Sequence, residues 1–520
     1  LGEESKLLSA VQFQGLSDLL LYWAQQTPDK VAFTFLKQGE IEEAHLTYQA
    51  LDRQARSIAT VLQKSLEVGD RVLLSYPPQD ALHFIPAFFG CLYAGIVAVP
   101  TYPPKKEQQW RHWQARVQEC AIKQVLTTTA LRDKLQKAWQ DYAPADDPSC
   151  WELKWIGTDL VSDHLSLSPI SLSPAPTSPP SPWQPPPVNS QTLAYIQYTS
   201  GSTGLPKGVK VTHGNGLHNS AIIQQAFGHD HQLRGVIWLP LNHDMGLMGG
   251  VVQTVYVGGY TVLMSSTAVL QKPLRWLQAI SKYRATTSGG PNFTYDLLCQ
   301  RVKPEQRQGL DLSSWQVAFC GAEPVRAKTL ENFAQQFVGC GFCPQAFYPC
   351  YGMAEATLFI AGGQKDTPPK IRSVDEQALG HNQAVMLATP KSGSRTPDSR
   401  FPDFRSPIAR SLVARSLVSC GQTWLGDRLL IVNPETQAPC GAQEVGEIWL
   451  QGLGVSPGYW QREELSNQTF QACLSTTGEG PFLRTGDLGF MAEGELFITG
   501  RLGDVMIFWG AKFIPRRLKP

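Results

Sequence analysis

The stretch YTSGSTGLPKGVK at residues 198–210 gathers glycines, the hydroxyls of Thr199, Ser200, Ser202 and Thr203, and the ammonium of Lys207. Gly201 and Gly204 allow backbone N–H groups to converge on phosphate oxygens, the hydroxyls add donors, and Lys207 adds a mobile positive charge. The spacing is not that of a Walker loop, which needs Gly, four residues, Gly-Lys-Ser/Thr and then a helix. Pro206 stands where the second glycine belongs, and the GVKVTH that follows has strand character. Three further stretches supply what a phosphate cradle lacks. FCGAEP ends an apolar run at Gly321, leaving a backbone edge that a planar base can approach. YGMAEAT offers Tyr351 to stack on a base and Glu355 as a hard oxygen ligand for Mg²⁺. RTGDLG sets Asp487 in a tight turn, where its carboxylate accepts two ribose hydroxyls, and GRLGD adds Arg501. Each alone also reads as an ordinary turn or helix start; together they point to nucleotide chemistry.

Other residues with chemical potential are poorer candidates. CGFC at Cys340–Cys343 has CxxC spacing without a second pair at zinc-site distance. The HDH at His229–His231 stands without further ligands at helical or strand spacing and reads as a solvated loop. Ser200 and Ser202 lack the GxSxG setting of a hydrolase nucleophile. With 45 basic and 44 acidic residues the net charge is +1, so no global field favours nucleic acid or an anionic membrane. Eleven cysteines without regular spacing suit reduced thiols in a cytoplasmic protein. The opening LGEESKLLSAVQF is acidic and lacks the apolar core of a secretion signal. The long uncharged run Ala81–Tyr102 contains Pro86, two glycines and Pro100, and reads as a buried helix followed by a buried strand instead of a membrane span.

The elements that must position these residues alternate. Leu51, Ala55, Ile58 and Leu62 mark one face of a helix. RVLLSY, IVAVP, AIKQVLTTT, YIQYTS, GVIWLP, TVLMSS and WQVAFCG read as short strands, with PLRWLQAISKY and AKTLENFAQQF as helices between them. Such alternation predicts an α/β body with parallel sheets covered on both faces. Residues 163–189 are dominated by Ser and Pro and read as an exposed linker. Residues 366–419 hold a polar, proline-spotted run and the echo ARSLVARSLV, which suggests a local duplication or a helix. GDRLLIVNPET and VGEIWLQGLG then read as strands of a smaller β-rich subdomain.

With these motifs assembled, the chain resembles the adenylate-forming enzymes: acyl-CoA synthetases, luciferases and the adenylation domains of peptide synthetases. The resemblance runs from about Leu16 to Pro515 and includes TPDKVAF, AFFGCLYAGIVAVP, WLPLNHDMG, GEIWLQG and GYW beside the stretches above. Within that superfamily it is most similar to the fatty acyl-AMP ligases, through HDMG at His243–Gly246, the run Pro291–Phe293, Ala354 in YGMAEAT, and the extra segment 366–419. The resemblance implies activation of a medium- or long-chain fatty acid with ATP to acyl-AMP and pyrophosphate. Transfer to the phosphopantetheine thiol of an acyl carrier protein would follow, in polyketide, lipopeptide or lipid biosynthesis. It also implies a layout: an adenylating domain over 1–503, comprising α/β subdomains 1–190 and 191–365, the insertion 366–419 and a β-rich part 420–503, then a hinge and the start of a lid over 504–520.

Carried over residue by residue, the resemblance assigns Thr199, Ser200, Gly201, Ser202, Thr203, Gly204 and Lys207 to the ATP phosphates. Gly321, Ala322 and Glu323, with Tyr351, Gly352 and Met353, would frame adenine, and Asp487 and Arg501 the ribose. Glu355 and Thr199 would hold Mg²⁺. His243 would stand where acyl pocket meets reacting carboxylate, with Asp244, Met245, Gly246, Gly289, Gly290 and Pro291 along the acyl channel. Lys207, His243 and Glu355 would be the catalytic residues, and Asp504 the hinge. Two departures stand out. Asn242 occupies a position where an aromatic residue is usual, and the chain ends at Pro520, where the family's lid with its catalytic lysine is expected. The competing readings are a fatty acyl-CoA synthetase, an amino-acid adenylation domain using Asp244 for the amine, and a lid-less nucleotide- and acyl-binding protein without turnover.

Overall fold

The structure is a computed structural model that describes residues 13–142, 153–163, 183–199, 206–387, 414–504, 506–508 and 511–513. Among the described residues the strands form a six-stranded, an eight-stranded and a four-stranded sheet, with two small two-stranded pairs. The six-stranded sheet runs Lys154–Gly157, Gln124–Thr127, Arg71–Ser75, Val97–Thr101, Leu193–Thr199, Lys207–Thr212. The eight-stranded sheet runs Phe359–Gly362, Phe347–Gly352, Val317–Gly321, Thr287–Pro291, Arg234–Ile237, Tyr260–Met264, Val31–Lys37, Ile41–Thr47. Interior pairings are parallel and antiparallel pairs sit at the edges, as expected where crossover helices cover both faces. The four-stranded sheet, Arg428–Val432, Gly446–Gln451, Leu483–Ala492, Glu495–Arg501, is antiparallel throughout. The fold is mixed α/β with a smaller β-rich part, as the alternation predicts.

Local chemistry accounts for the elements. The helix Tyr48–Gln63 starts where the Thr47 side chain accepts from the Ala50 N–H, and it buries the face Leu51, Ala55, Ile58 and Leu62. The uncharged run forms the helix Ala81–Ala94, with Pro86 inside it and nearly every side chain buried, then the buried strand Val97–Thr101. Among the described residues no helix is long and apolar enough to cross a membrane.

Three expectations are corrected. The two large sheets do not divide near residue 190. Leu193–Thr199 and Lys207–Thr212 complete the six-stranded sheet, while Val31–Lys37 and Ile41–Thr47 extend the eight-stranded one. The strand VAFTFLK, buried along most of its length, needs partners on both sides, and Phe33–Leu36 find a parallel one in Thr261–Met264. The second copy of the echo, Ala414–Val418, is a strand paired with Ile371–Asp375, not a helix; its first copy lies outside the described residues. Most of the Ser/Pro-rich stretch, 164–182, lies outside them too. At its end Trp183 is no exposed linker residue: its ring stacks on Tyr93 and its indole N–H donates to the Tyr93 carbonyl at 2.8 Å.

Candidate active site

The three sheets meet around one cleft of about 790 Å³, lined by Thr199 and Lys207 from the first, Gly321, Tyr351 and Glu355 from the second, and Thr485, Gly486 and Arg501 from the third. The phosphate-loop stretch is the connection of an antiparallel hairpin: Thr199 pairs with Lys207, and residues 200–206 join them. This answers why no helix follows the lysine. A hairpin end, unlike a Walker loop, sets Lys207 on a strand, and its ammonium lies 5.1 Å from the centre of the Tyr459 ring at the cleft wall. Ser200, Gly201, Ser202, Thr203 and Gly204 lie outside the described residues.

The base and ribose candidates converge. Gly321 ends its strand and Ala322 takes a left-handed φ of 64°, so the chain turns sharply at the cleft edge. The Tyr351 hydroxyl donates to Asp487 Oδ2 at 2.7 Å, and Arg501 Nε donates to Asp487 Oδ1 at 2.9 Å. Each carboxylate oxygen therefore holds one donor and retains lone-pair capacity for one more. Burial raises the Asp487 pKa, opposed by Arg501 and the Tyr351 hydroxyl. Asp487 sits within the strand Leu483–Ala492 and not in a free tight turn, although Gly486 beside it has φ 71°. Glu447 holds that bend: it is 2% exposed and accepts from Gly486 N at 3.1 Å, from Arg484 Nη2 at 2.8 Å and from Trp449 Nε1 at 3.0 Å. Sequence reasoning missed Glu447, although the motif GEIWLQG that contains it carries part of the family resemblance.

Glu355 lies in a short 3₁₀ turn, Ala354–Ala356, directly after Gly352 and Met353. Gly352 is obligatory: a Cβ there would stand 1.8 Å from the Leu358 carbonyl oxygen. The Glu355 carboxylate is 9% exposed and accepts from the Tyr459 hydroxyl at 2.8 Å. Burial raises its pKa, partly offset by that hydrogen bond. Among the described residues no cluster of three His, Cys, Asp or Glu could hold a metal by protein ligands alone. One carboxylate beside a phosphate loop nevertheless fits Mg²⁺, which takes one or two carboxylates and completes its shell with water and substrate phosphates.

His243 is 59% exposed at the side chain, and its Nδ1 lies 2.5 Å from Asp244 Oδ1. Loss of surrounding water lowers its pKa, but the hydrogen bond and charge of Asp244 outweigh that and raise it. Met245 lines the cleft beside them, and Asn242 offers its carbonyl to Gln197 Nε2 at 2.7 Å. Beyond His243 the lining becomes apolar: Ile223, Phe227, Phe319, Leu358 and Phe359. None of these five stands out in the sequence, because each reads as ordinary core.

Several expected residues stand behind the cleft instead of on it. Gly289 lies under the Phe319 ring, where a Cβ would come within 2.5 Å of the ring; Gly290 similarly admits Trp238, and Gly246 admits the Pro240 carbonyl. These glycines shape the wall by letting larger groups approach. Pro291 caps the helix Asn292–Arg301, and the Glu323 carboxylate accepts from the first-turn N–H of Phe293 at 2.6 Å, a helix-end role. Asp504 follows Arg501 in a 3₁₀ turn at the cleft rim. His229 is not solvated: it is 9% exposed, bonds Thr287 Oγ1 at 2.9 Å and lines the far end of the apolar branch.

Comparison with known proteins agrees with this geometry. The profile of the AMP-binding enzyme family matches residues 20–399. The chain is 39% identical over 515 residues to the medium-chain-fatty-acid–[acyl-carrier-protein] ligase JamA of Moorena producens, covering 98% of this chain and 81% of that protein. It is 32% identical to the long-chain-fatty-acid–AMP ligase FadD32 of Mycolicibacterium smegmatis, covering 96% and 75%. Among solved structures, a fatty acyl-adenylate ligase from L. pneumophila in complex with acyl adenylate and pyrophosphate superposes with a TM-score of 0.79. That pair shares 37% identity and covers 94% of this chain and 78% of the other.

Proposed function

The chain belongs to the AMP-binding enzyme family, in its fatty acyl-AMP ligase branch, and from that premise we propose that this cleft joins a fatty acid to AMP for delivery to an acyl carrier protein. The observation that carries the reading is a single cleft with two chemically opposite ends. Lys207, Tyr351, Glu355 and Arg501 line it on the polar side, with Asp487 behind them as partner of Tyr351 and Arg501, and Phe227, Phe319 and Phe359 line it on the apolar side; His243, also in the lining, would stand at their junction. A long anionic acid and a nucleotide triphosphate need such a site.

In the reaction the fatty carboxylate oxygen attacks the α-phosphorus in line, a new P–O bond forms, and the bond to pyrophosphate breaks. Two anions must approach, so the transition state depends on fixed positive charge. Thr199 and Lys207, with the hairpin loop between them, hold the phosphates. Asp487 takes the ribose hydroxyls, Tyr351 stacks on adenine and Gly321–Ala322 lets the base approach closely. Glu355 and Thr199 would hold Mg²⁺, which neutralises phosphate charge when bound. His243, kept in place by Asp244, donates to the reacting carboxylate. The reduced thiols of the described residues fit a cytoplasmic enzyme.

The amino-acid reading loses support from Asp244. That carboxylate is 6% exposed and its Oδ1 is already engaged by His243 at 2.5 Å and by Met245 N at 2.7 Å, so an amine would compete with both. The thiol acceptor is decided by product analysis. With ATP, Mg²⁺, a fatty-acid mixture, CoA and a phosphopantetheinylated carrier protein, mass spectrometry should find acyl-AMP, pyrophosphate and acylated carrier, with little acyl-CoA. Predominant acyl-CoA, or adenylation of amino acids in preference to fatty acids, would overturn the reading.

A further inference from the structure

The apolar branch ends on a wall one side chain thick. Phe227, His229 and Thr287 line the catalytic cleft, and the same three line a second groove of about 1210 Å³ on the opposite edge of the eight-stranded sheet. That groove opens among the first residues of the parallel strands, including Val31, Arg234 and Val317, and carries the charged groups of Lys30, Glu42 and Asp230. The wall is fixed in place. The His229 ring bonds Thr287 Oγ1 at 2.9 Å and Gln253 Nε2 at 3.4 Å, and packs edge-on against Phe227 with ring centres 5.3 Å apart.

Its position sets a length. Thr287 pairs with Val317 at one end of two neighbouring strands and Pro291 with Gly321 at the other, and the cleft lining includes both Thr287 and Gly321, so the cleft spans the length of a five-residue strand. Four strand steps measure about 13 Å, the reach of an extended chain of roughly ten carbons at about 1.25 Å of rise per C–C bond. A longer chain would meet the His229–Thr287 pair, and behind it the groove that carries Lys30, Glu42 and Asp230.

We propose that His229 and Thr287 form the end-stop that sets acyl chain length, separating the acyl branch from a pre-formed exit groove on the far face of the sheet. The inference rests on the fatty-acid reading above. Because the two side chains satisfy each other's hydrogen bonds, the stop asks for a methyl end and not for a polar ω-group. Removing one of them joins the two cavities, so that the tail of a longer acid passes through.

The test is competitive adenylation of an equimolar mixture of saturated C6 to C16 acids by the full chain, with the acyl-AMP products counted by mass spectrometry. The wild type should favour acids near ten carbons. His229→Ala should raise the C14-to-C10 product ratio about tenfold, because the longer tail no longer overpacks against the wall. Thr287→Ala, a milder trim of the same wall, should move the ratio the same way by a smaller factor, and it decides the matter if His229→Ala does not fold. A merely structural role would lower all products together and leave the ratio unmoved; that outcome in a folded variant overturns the end-stop. A wild type that adenylates no fatty acid overturns the functional reading itself, and a variant profile is then not needed to tell the two failures apart.

Discussion

At the scale of single residues the buried carboxylates Glu355 and Asp487 differ in what holds them. Burial raises the pKa of Glu355 above its usual 4.5, so the folded state favours the acid form more than the unfolded chain does. The cost of ionising Glu355 appears as pH rises through the unfolded-state value and is complete above the folded one, so wild-type stability falls across that window. Glu355→Gln keeps the acceptor for the Tyr459 hydroxyl but has no charge to desolvate. It should melt higher than wild type at pH 7, with the gap closing towards pH 4, while Mg²⁺-dependent pyrophosphate release is lost; melting curves in a pH series check this. Asp487 behaves differently because Arg501 and Tyr351 already hold it. Tyr351→Phe removes one neutral-to-charged hydrogen bond while keeping the stacking ring. Calorimetry should show ATP binding weakened by about 1.5 kcal/mol, near tenfold; Asp487→Ala should weaken it further. Asp487 and Glu355 can be singled out in the sequence because they sit in short, tightly spaced motifs. His229 cannot, because nothing in HDH itself says whether a loop histidine is wet or buried. Only the packing of Phe227 and Thr287 decides that.

At the scale of elements the glycines separate two kinds of legibility. The sequence shows where glycines stand, and the structure shows which neighbour each admits. Gly352 precedes the turn that carries Glu355, and any side chain there would collide with the Leu358 carbonyl at 1.8 Å. A backbone atom cannot swing aside as a flexible side-chain tip can. Gly352→Ala should therefore destabilise the protein by about 3 kcal/mol, visible in urea titration as a lower midpoint at unchanged slope. ATP affinity should fall with it as Met353 and Glu355 are displaced. Gly339, by contrast, has no heavy atom within 4 Å of where a Cβ would stand, so Gly339→Ala should leave that midpoint nearly unmoved. The helices are readable from periodicity, as in the buried face of Tyr48–Gln63, and the interior strands as short apolar runs, since Val97–Thr101 and Val317–Gly321 are buried along their whole length. Ala414–Val418 is not, because a five-residue apolar-basic run fits either element until its partner Ile371–Asp375 is known.

At the scale of the whole molecule, the site exists because three sheets meet, and this is the least legible feature. Pairing between Val31–Lys37 and Tyr260–Met264 joins residues more than two hundred positions apart, and no local pattern encodes a partner at that distance. What the sequence does carry is the strap that locks the sheets together, Val455–Arg462. Within it Lys210 N donates to the Gly458 carbonyl, Trp460 Nε1 to the Glu119 carbonyl, and the Tyr459 hydroxyl to Glu355. One segment thus joins the six-stranded sheet to the turn that carries the metal candidate. The Tyr459 hydrogen bond lowers the Glu355 pKa against the opposing pull of burial, so the strap tunes the chemistry as well as the docking. Tyr459→Phe removes that donor and nothing of the ring over Lys207. With one stabilising partner gone and burial unchanged, the Glu355 pKa must rise further, so a larger share of the enzyme carries the protonated, non-ligating acid at any mildly acidic pH. The acid limb of the pH–rate profile for pyrophosphate release should move to higher pH in Tyr459→Phe, and the plateau at alkaline pH should approach wild type, because there Glu355 is ionised in both. A profile lowered equally at every pH would mean instead that the hydroxyl serves only to hold the strap against its sheet.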